Sequence, residues 1–85
     1  MAQIPENLEK ELQRVIADVI EIEPEEVSPD ARFVEDLGMD SIKAAELVVA
    51  IEQKYKIHID DDAIPKITTL RKTLDEAKRV ISGKE

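Results

Sequence analysis

Phe33-Val34-Glu35-Asp36-Leu37-Gly38-Met39-Asp40-Ser41-Ile42 is the stretch from which the rest of this chain is placed. Gly38 marks a reversal, since a residue without a Cβ enters the left-handed backbone region that other residues resist. Asp40 is an N-cap candidate, because its carboxylate can accept from an amide two or three residues on. A helix is therefore expected to start just after Asp40 and to run to about Tyr55. Ala44, Leu47, Val48, Ile51 and Tyr55 recur along it at the spacing of one apolar face. Ser41 stands at the start of that helix, where unpaired amides and the positive dipole end favour a phosphate group. Phe33 and Leu37, just upstream, are expected to anchor the turn in the core.

Outward toward the N-terminus, residues 23–40 are mostly irregular and hold Pro24, Pro29, Gly38 and Val27. A connection of this length is uncommon in a small domain unless it packs its own side chains or is functional. Before it, Leu8, Leu12, Val15, Ile16 and Val19 predict a helix over about residues 6–22, with Glu6, Glu9 and Glu11 near its start, where the dipole favours acids. Pro24 is read as its stop, because proline cannot donate within a helix. Outward toward the C-terminus, Ile57 and Ile59 alternate with His58, as in a short extended piece. Asp60-Asp61-Asp62 then offer caps for one or two helical turns, shortened or bent by Pro65. Thr68-Thr69 offers the next cap, and Leu70, Leu74, Ala77 and Ile81 predict a last helix, with Lys78, Arg79 and Lys84 near its end and Gly83 as its C-cap. The expected fold is all-α: a small four-helix bundle of three longer helices and one short one, with a long loop between helices one and two. Residues 1–85 form one domain.

Composition narrows the functional classes. The 85 residues hold 20 acids and 12 bases, a net charge of −8, which argues against binding nucleic acid by phosphate neutralisation. The acidity is local: residues 1–62 carry 17 acids and 6 bases, whereas residues 63–85 carry 3 acids and 6 bases. The absence of cysteine removes disulfide and zinc-thiolate schemes. No apolar run is long enough to span a bilayer and no signal peptide is recognisable, so a soluble, cytoplasmic protein is expected.

Catalytic constellations are missing. His58 is the one imidazole, there is no thiol, and the two glycines, Gly38 and Gly83, are too far apart for a phosphate-cradling loop. His58 reads as an exposed loop residue. Asp60, Asp61 and Asp62 lack the alternating ligands of a calcium loop and read as helix caps; no metal site is expected. Lys43 and Glu46, three apart on the second helix, read as a surface pair. Ser41 has no base beside it, because an ionised Asp40 is too weak to activate a hydroxyl. Two readings of Ser41 remain open from residues alone: an ordinary helix-capping serine, or a serine that another enzyme modifies.

The run Phe33 to Ile42, followed by Glu46-Leu47-Val48 and later by Lys66-Ile67-Thr68-Thr69, closely resembles the acyl carrier protein family, whose hallmark is Asp-Ser-Leu after a Leu-Gly turn. The resemblance covers nearly the whole chain. It implies a four-helix bundle in which a phosphopantetheinyl transferase esterifies Ser41 with 4′-phosphopantetheine from coenzyme A. The terminal thiol of that group holds an acyl chain as a thioester, so the protein is a carrier in fatty-acid or related lipid or polyketide biosynthesis and not itself an enzyme. The resemblance further implies a docking face of Asp36, Asp40, Ile42, Lys43, Glu46, Val49 and Glu52. That face meets basic patches on acyl-transferring and chain-elongating enzymes, with steering favoured over tight binding. It also implies an interior of Phe33, Leu47, Val48, Ile51, Ile67 and Leu74 that opens to shelter an acyl chain, and a monomer.

Three positions depart from the common pattern: Ile42 for leucine, Lys43 for an acidic or small polar residue, and Pro65 within the third helix, with Asp60 where a proline is frequent. Lys43 puts a positive charge in the docking helix, and two readings of it stand side by side: the mark of a specialised carrier, or a tolerated surface substitution. Rival readings are a carrier of a non-fatty cargo, such as a D-alanyl or secondary-metabolite carrier, and an acidic helical interaction module in which Ser41 is only a cap. A cation binder built on Asp60, Asp61 and Asp62 is a more distant one.

Overall fold

A computed structural model describes residues 6–83. Among the described residues the secondary structure is entirely helical: α1 (Leu8–Ile20), α2 (Ser41–Tyr55) and α3 (Leu70–Ser82), with two single 3-10 turns at Pro24–Glu26 and Ile64–Lys66. α1 packs against both α2 and α3. The expected apolar faces are the ones that meet: Leu8, Leu12 and Ile16 of α1, Leu47, Val48 and Ile51 of α2, and Leu70, Ala77 and Ile81 of α3 are all buried. Hydrophobic burial at helical spacing explains this arrangement without special pairings.

The short helix expected before α3 is instead one three-residue 3-10 turn. Asp60 O accepts from the Ala63 amide, Asp61 O from Ile64, Ala63 O from Lys66 and Ile64 O from Ile67. All four bonds span three residues. Pro65 has no amide hydrogen to enter an α-type ladder, so the tighter spacing persists. No side chain caps this turn; Asp60 and Asp61 contribute through their backbone carbonyls, which corrects the expectation that the aspartates cap a helix.

Pro24 does not stop α1. The chain leaves the helix at Glu21, in the left-handed conformation at φ 61°, and the Ile22 amide returns to Ala17 O at 3.0 Å. Pro24 then opens the 3-10 turn, its fixed φ suiting a first helical position. Lys56 ends α2 in the same way, at φ 54°. Gly83 does cap α3, but at φ −87° it makes no use of glycine's left-handed freedom. The expected N-caps of the other two helices are in place: Asp40 Oδ1 accepts from the Lys43 amide at 2.8 Å, and Thr69 Oγ1 from the Lys72 amide at 3.1 Å.

The long connection is tied down along its length. Gln13 Nε2 of α1 donates to Pro24 O at 2.6 Å and Val27 O at 3.1 Å. Arg71 of α3 donates to both carboxylate oxygens of Asp30, and its amide donates to Pro29 O. Phe33, Val27 and Met39 are buried, while Leu37 is half-buried and packs on the core.

Tyr55 joins α2 to α1, its hydroxyl donating to Glu11 Oε1 at 2.8 Å. Partial burial, and then the hydrogen bond to Glu11, push the phenol's pKa above its ordinary value of 10.0. The folded chain therefore keeps this proton to higher pH than the unfolded chain does. The resulting stability is complete below the unfolded pKa and is lost as pH rises above it. Urea midpoints between about pH 9 and about pH 11.5 should fall more steeply for the wild type than for Tyr55→Phe. Parallel curves would remove Tyr55 from the account.

Candidate functional site

The site starts at Arg32. Asp36 Oδ2 accepts from the Arg32 amide at 2.8 Å, and the Asp36 and Leu37 amides return to Arg32 O, closing a compact turn. Gly38 follows at φ +75°, with nothing within 4 Å of where a Cβ would stand. The Met39 amide then donates to Phe33 O at 2.9 Å, while the Phe33 amide donates to Thr68 O at 2.9 Å. Phe33 and Met39 are buried on either side of the turn, so both its ends are fixed in the core. This framework delivers Asp40 and Ser41 to the surface as a helix begins.

Gly38 is required for its backbone and not for space. Gly38→Ala should destabilise the protein by about 1 kcal/mol, the cost of holding a Cβ in the left-handed region. Because no neighbour is crowded, Gly38→Asn should cost less than alanine. Urea unfolding of both variants measures this, and an unaffected alanine variant would refute it.

Ser41 is the first residue of α2 and is exposed. Asp40, not Ser41, supplies the cap, and among the described residues the Ser41 hydroxyl has no hydrogen-bond partner. The reading of Ser41 as only a cap is thereby corrected: an aspartate one position earlier already does that work. The first-turn amides have no carbonyl within the helix to receive them. An exposed, uncommitted hydroxyl beside such amides fits a phosphodiester at Ser41.

A broad, open recess of about 620 Å³ runs beside Ser41 along the outer face of α2, lined by Ser41, Ile42, Ala45, Glu46, Val49, Ala50 and Gln53. Ile42 is 68% exposed and Val49 49%, unusual for large apolar side chains. Of the expected docking set, Ile42, Glu46 and Val49 therefore share one surface with Ser41. Lys43 adjoins it, its Nζ 3.7 Å from Glu46 Oε1. Asp36 and Asp40 are exposed but lie outside the recess. Glu52 does not join them. Its Oε2 accepts from the Ile59 amide at 2.8 Å and faces His58 Nδ1 at 3.4 Å, fixing the chain beyond α2. His58 itself is exposed, as expected, and lies between Glu52 and Asp60.

The expected interior set is tightly packed. Phe33, Leu47 and Ile51 are at most 2% exposed and Val48 is buried, while Ile67 and Leu74 are half-buried at the edge of the core. Sequence reading did not single out Ala45, Ala50 and Gln53, which complete the recess wall. Their signal is the i, i+3, i+4 spacing from Ile42 and Glu46 on the face opposite the buried stripe.

Together these features define a class: a small helical protein with an exposed serine at the start of its second long helix, beside an open recess. Residues 10–76 match the family model described as phosphopantetheine attachment site. Over 69 residues the chain is 39% identical to the acyl carrier protein of Nitratidesulfovibrio vulgaris (strain DP4), covering 81% of this chain and 91% of that relative. The chain belongs to the acyl carrier protein family. Its cofactor is covalently bound 4′-phosphopantetheine, and a phosphopantetheinyl transferase and biosynthetic enzymes are its partners.

Proposed function

We propose that Ser41 is the attachment residue and that this chain is a single-domain, monomeric, cytoplasmic carrier of fatty-acid or related lipid or polyketide biosynthesis. The observation that carries this reading is the exposed Ser41 hydroxyl, left without a partner among the described residues because Asp40 caps α2. Ser41 Oγ attacks the pantetheine-side phosphorus of the coenzyme A pyrophosphate; the new phosphodiester forms as the pyrophosphate bond breaks and adenosine 3′,5′-bisphosphate leaves, and the serine proton passes to a base on the transferase. When bound, the cofactor supplies the thiol that this cysteine-free chain lacks and holds an acyl group there as a thioester. The chain's own residues orient that attachment point and keep it at the surface.

Ile42, Glu46 and Val49, with Lys43 beside them, are the proposed docking face, flanked by Asp36 and Asp40. Glu52 is left out because its carboxylate is committed to the Ile59 amide. Phe33, Leu47, Val48, Ile51, Ile67 and Leu74 are the proposed shelter for an acyl chain. Ile67 and Leu74, the half-buried members, are where it parts. The turns of residues 61–66 take the place of the family's short third helix.

Intact mass after co-expression with a phosphopantetheinyl transferase tests the attachment, with the added group expected on the peptide containing Ser41. An unmodified chain after exposure to several transferases would sink it. Profiling of the native thioester separates a fatty cargo from a D-alanyl or secondary-metabolite one.

A further inference from the structure

The carboxylates expected to steer basic partners already have partners within the chain. Asp36 accepts from the Arg32 amide, with Arg32 Nε 3.7 Å away. Asp40 accepts from the Lys43 amide. Glu46 is paired with Lys43 at 3.7 Å, and Glu52 with the Ile59 amide. Glu46 is also the one charged residue lining the recess beside Ser41, so with Lys43 alongside it the wall carries no net charge. Ile42 and Val49 stand out from the same wall. Within the recess wall the Glu46 and Lys43 charges cancel locally, although Asp40 and Glu52, bonded only to neutral amides, keep theirs; the exposed apolar side chains add contact affinity that salt barely screens.

We infer that Lys43 is the specificity-determining residue of the docking face, selecting partner enzymes whose contact ridge is apolar and near-neutral over those that present a basic patch. The inference rests on the proposed attachment at Ser41 and deepens it by giving the chemistry of the partner. Lys43 acts in two ways: it cancels the one carboxylate a basic patch would seek in the recess, and it repels that patch directly. A neutral ridge meets neither effect and gains the contact with Ile42 and Val49.

The test measures phosphopantetheinyl transfer to the full-length apo chain by a transferase whose docking surface is basic, between about 25 mM and about 300 mM salt, where the Debye length falls from about 20 Å to about 6 Å. For the wild type, whose net charge is −8, kcat/KM is expected to fall only modestly across that range, because the recess wall itself offers a basic patch no net charge. Lys43→Glu should raise kcat/KM at low salt by about five- to tenfold and make it fall steeply as salt is added. Lys78→Glu makes the same change of charge at an exposed position of α3, outside the recess, and should leave the rate and its salt dependence close to those of the wild type. Val49→Ser should lower kcat/KM by about three- to tenfold at every salt concentration.

A wild type as salt-sensitive as Lys43→Glu, an unchanged Lys43→Glu, or a Lys78→Glu that behaves like it would each overturn the inference. So would an unaffected Val49→Ser. Mass spectrometry separates the two levels: a chain never modified at Ser41 removes the attachment reading, whereas modification with the wrong salt dependence removes the role of Lys43 alone.

Discussion

Ser41→Ala is expected to lose phosphopantetheinylation completely, with the intact mass unchanged after co-expression with a transferase, while stability shifts by less than about 0.5 kcal/mol. The loss follows from removing the proposed nucleophile, and the small stability change from one geometric fact: the cap of α2 is Asp40 Oδ1 on the Lys43 amide at 2.8 Å. Removing the Ser41 hydroxyl therefore breaks no internal hydrogen bond, and alanine is a good helix former in the first turn. Asp40→Ala gives the opposite pattern. It keeps the attachment residue but loses the cap, at about 1 kcal/mol. A Ser41→Ala chain destabilised as much as Asp40→Ala would return Ser41 to a capping role. Continued modification of Ser41→Ala would move the attachment elsewhere.

The largest loss of stability is expected at Phe33. The residue is 2% exposed, and its backbone ties the loop both to Thr68 and to Met39. Phe33→Ala should cost about 3–5 kcal/mol, through lost apolar burial and the cavity left behind. In a domain whose total stability is of the order of 5–15 kcal/mol, this is enough to populate unfolded chains at moderate temperature. Phe33→Leu keeps most of the volume and should cost less than half as much as the alanine change. Thermal melts rank the three chains. Transfer to Ser41 adds a second readout, since release of the loop disturbs the turn that delivers Asp40 and Ser41. If Phe33→Ala melted with the wild type, the loop would not depend on this anchor. The contrast with adjacent Val34, which is 62% exposed, makes Val34→Ala a fitting control with little expected change.

The three long helices were readable because each is a local pattern. Leu8, Leu12 and Ile16 recur at helical spacing, as do Leu47, Val48 and Ile51, and such a stripe has one stable way to leave water. The caps Asp40 and Thr69 were readable for the same reason: a capping side chain reaches an amide only three residues away. Failures lay where local signals competed. Pro24 reads as a terminator, yet α1 had already ended at Glu21, whose left-handed turn no nearby glycine announced. Pro65 was recognised as a disturbance, but the resulting geometry, a 3-10 turn over Ile64–Lys66, depends on which amides find carbonyls. Thr73 is buried although polar, because its hydroxyl donates to Thr69 O at 2.7 Å.

The sequence by itself determined the helical class, the turn at Gly38, the start of α2 at Ser41 and the family resemblance, since all of these reside in short-range spacing. Tertiary structure alone decided how the polar groups are shared out. It left the Ser41 hydroxyl without a partner among the described residues, set Glu46 against Lys43, turned Glu52 toward the Ile59 amide and exposed Ile42 and Val49 beside an open recess. The physical reason is that a carboxylate's charge can be read from its residue type, whereas the donor that satisfies it is fixed only when the chain has folded. Net charge thus belongs to the sequence, and the charge a partner enzyme meets belongs to the fold.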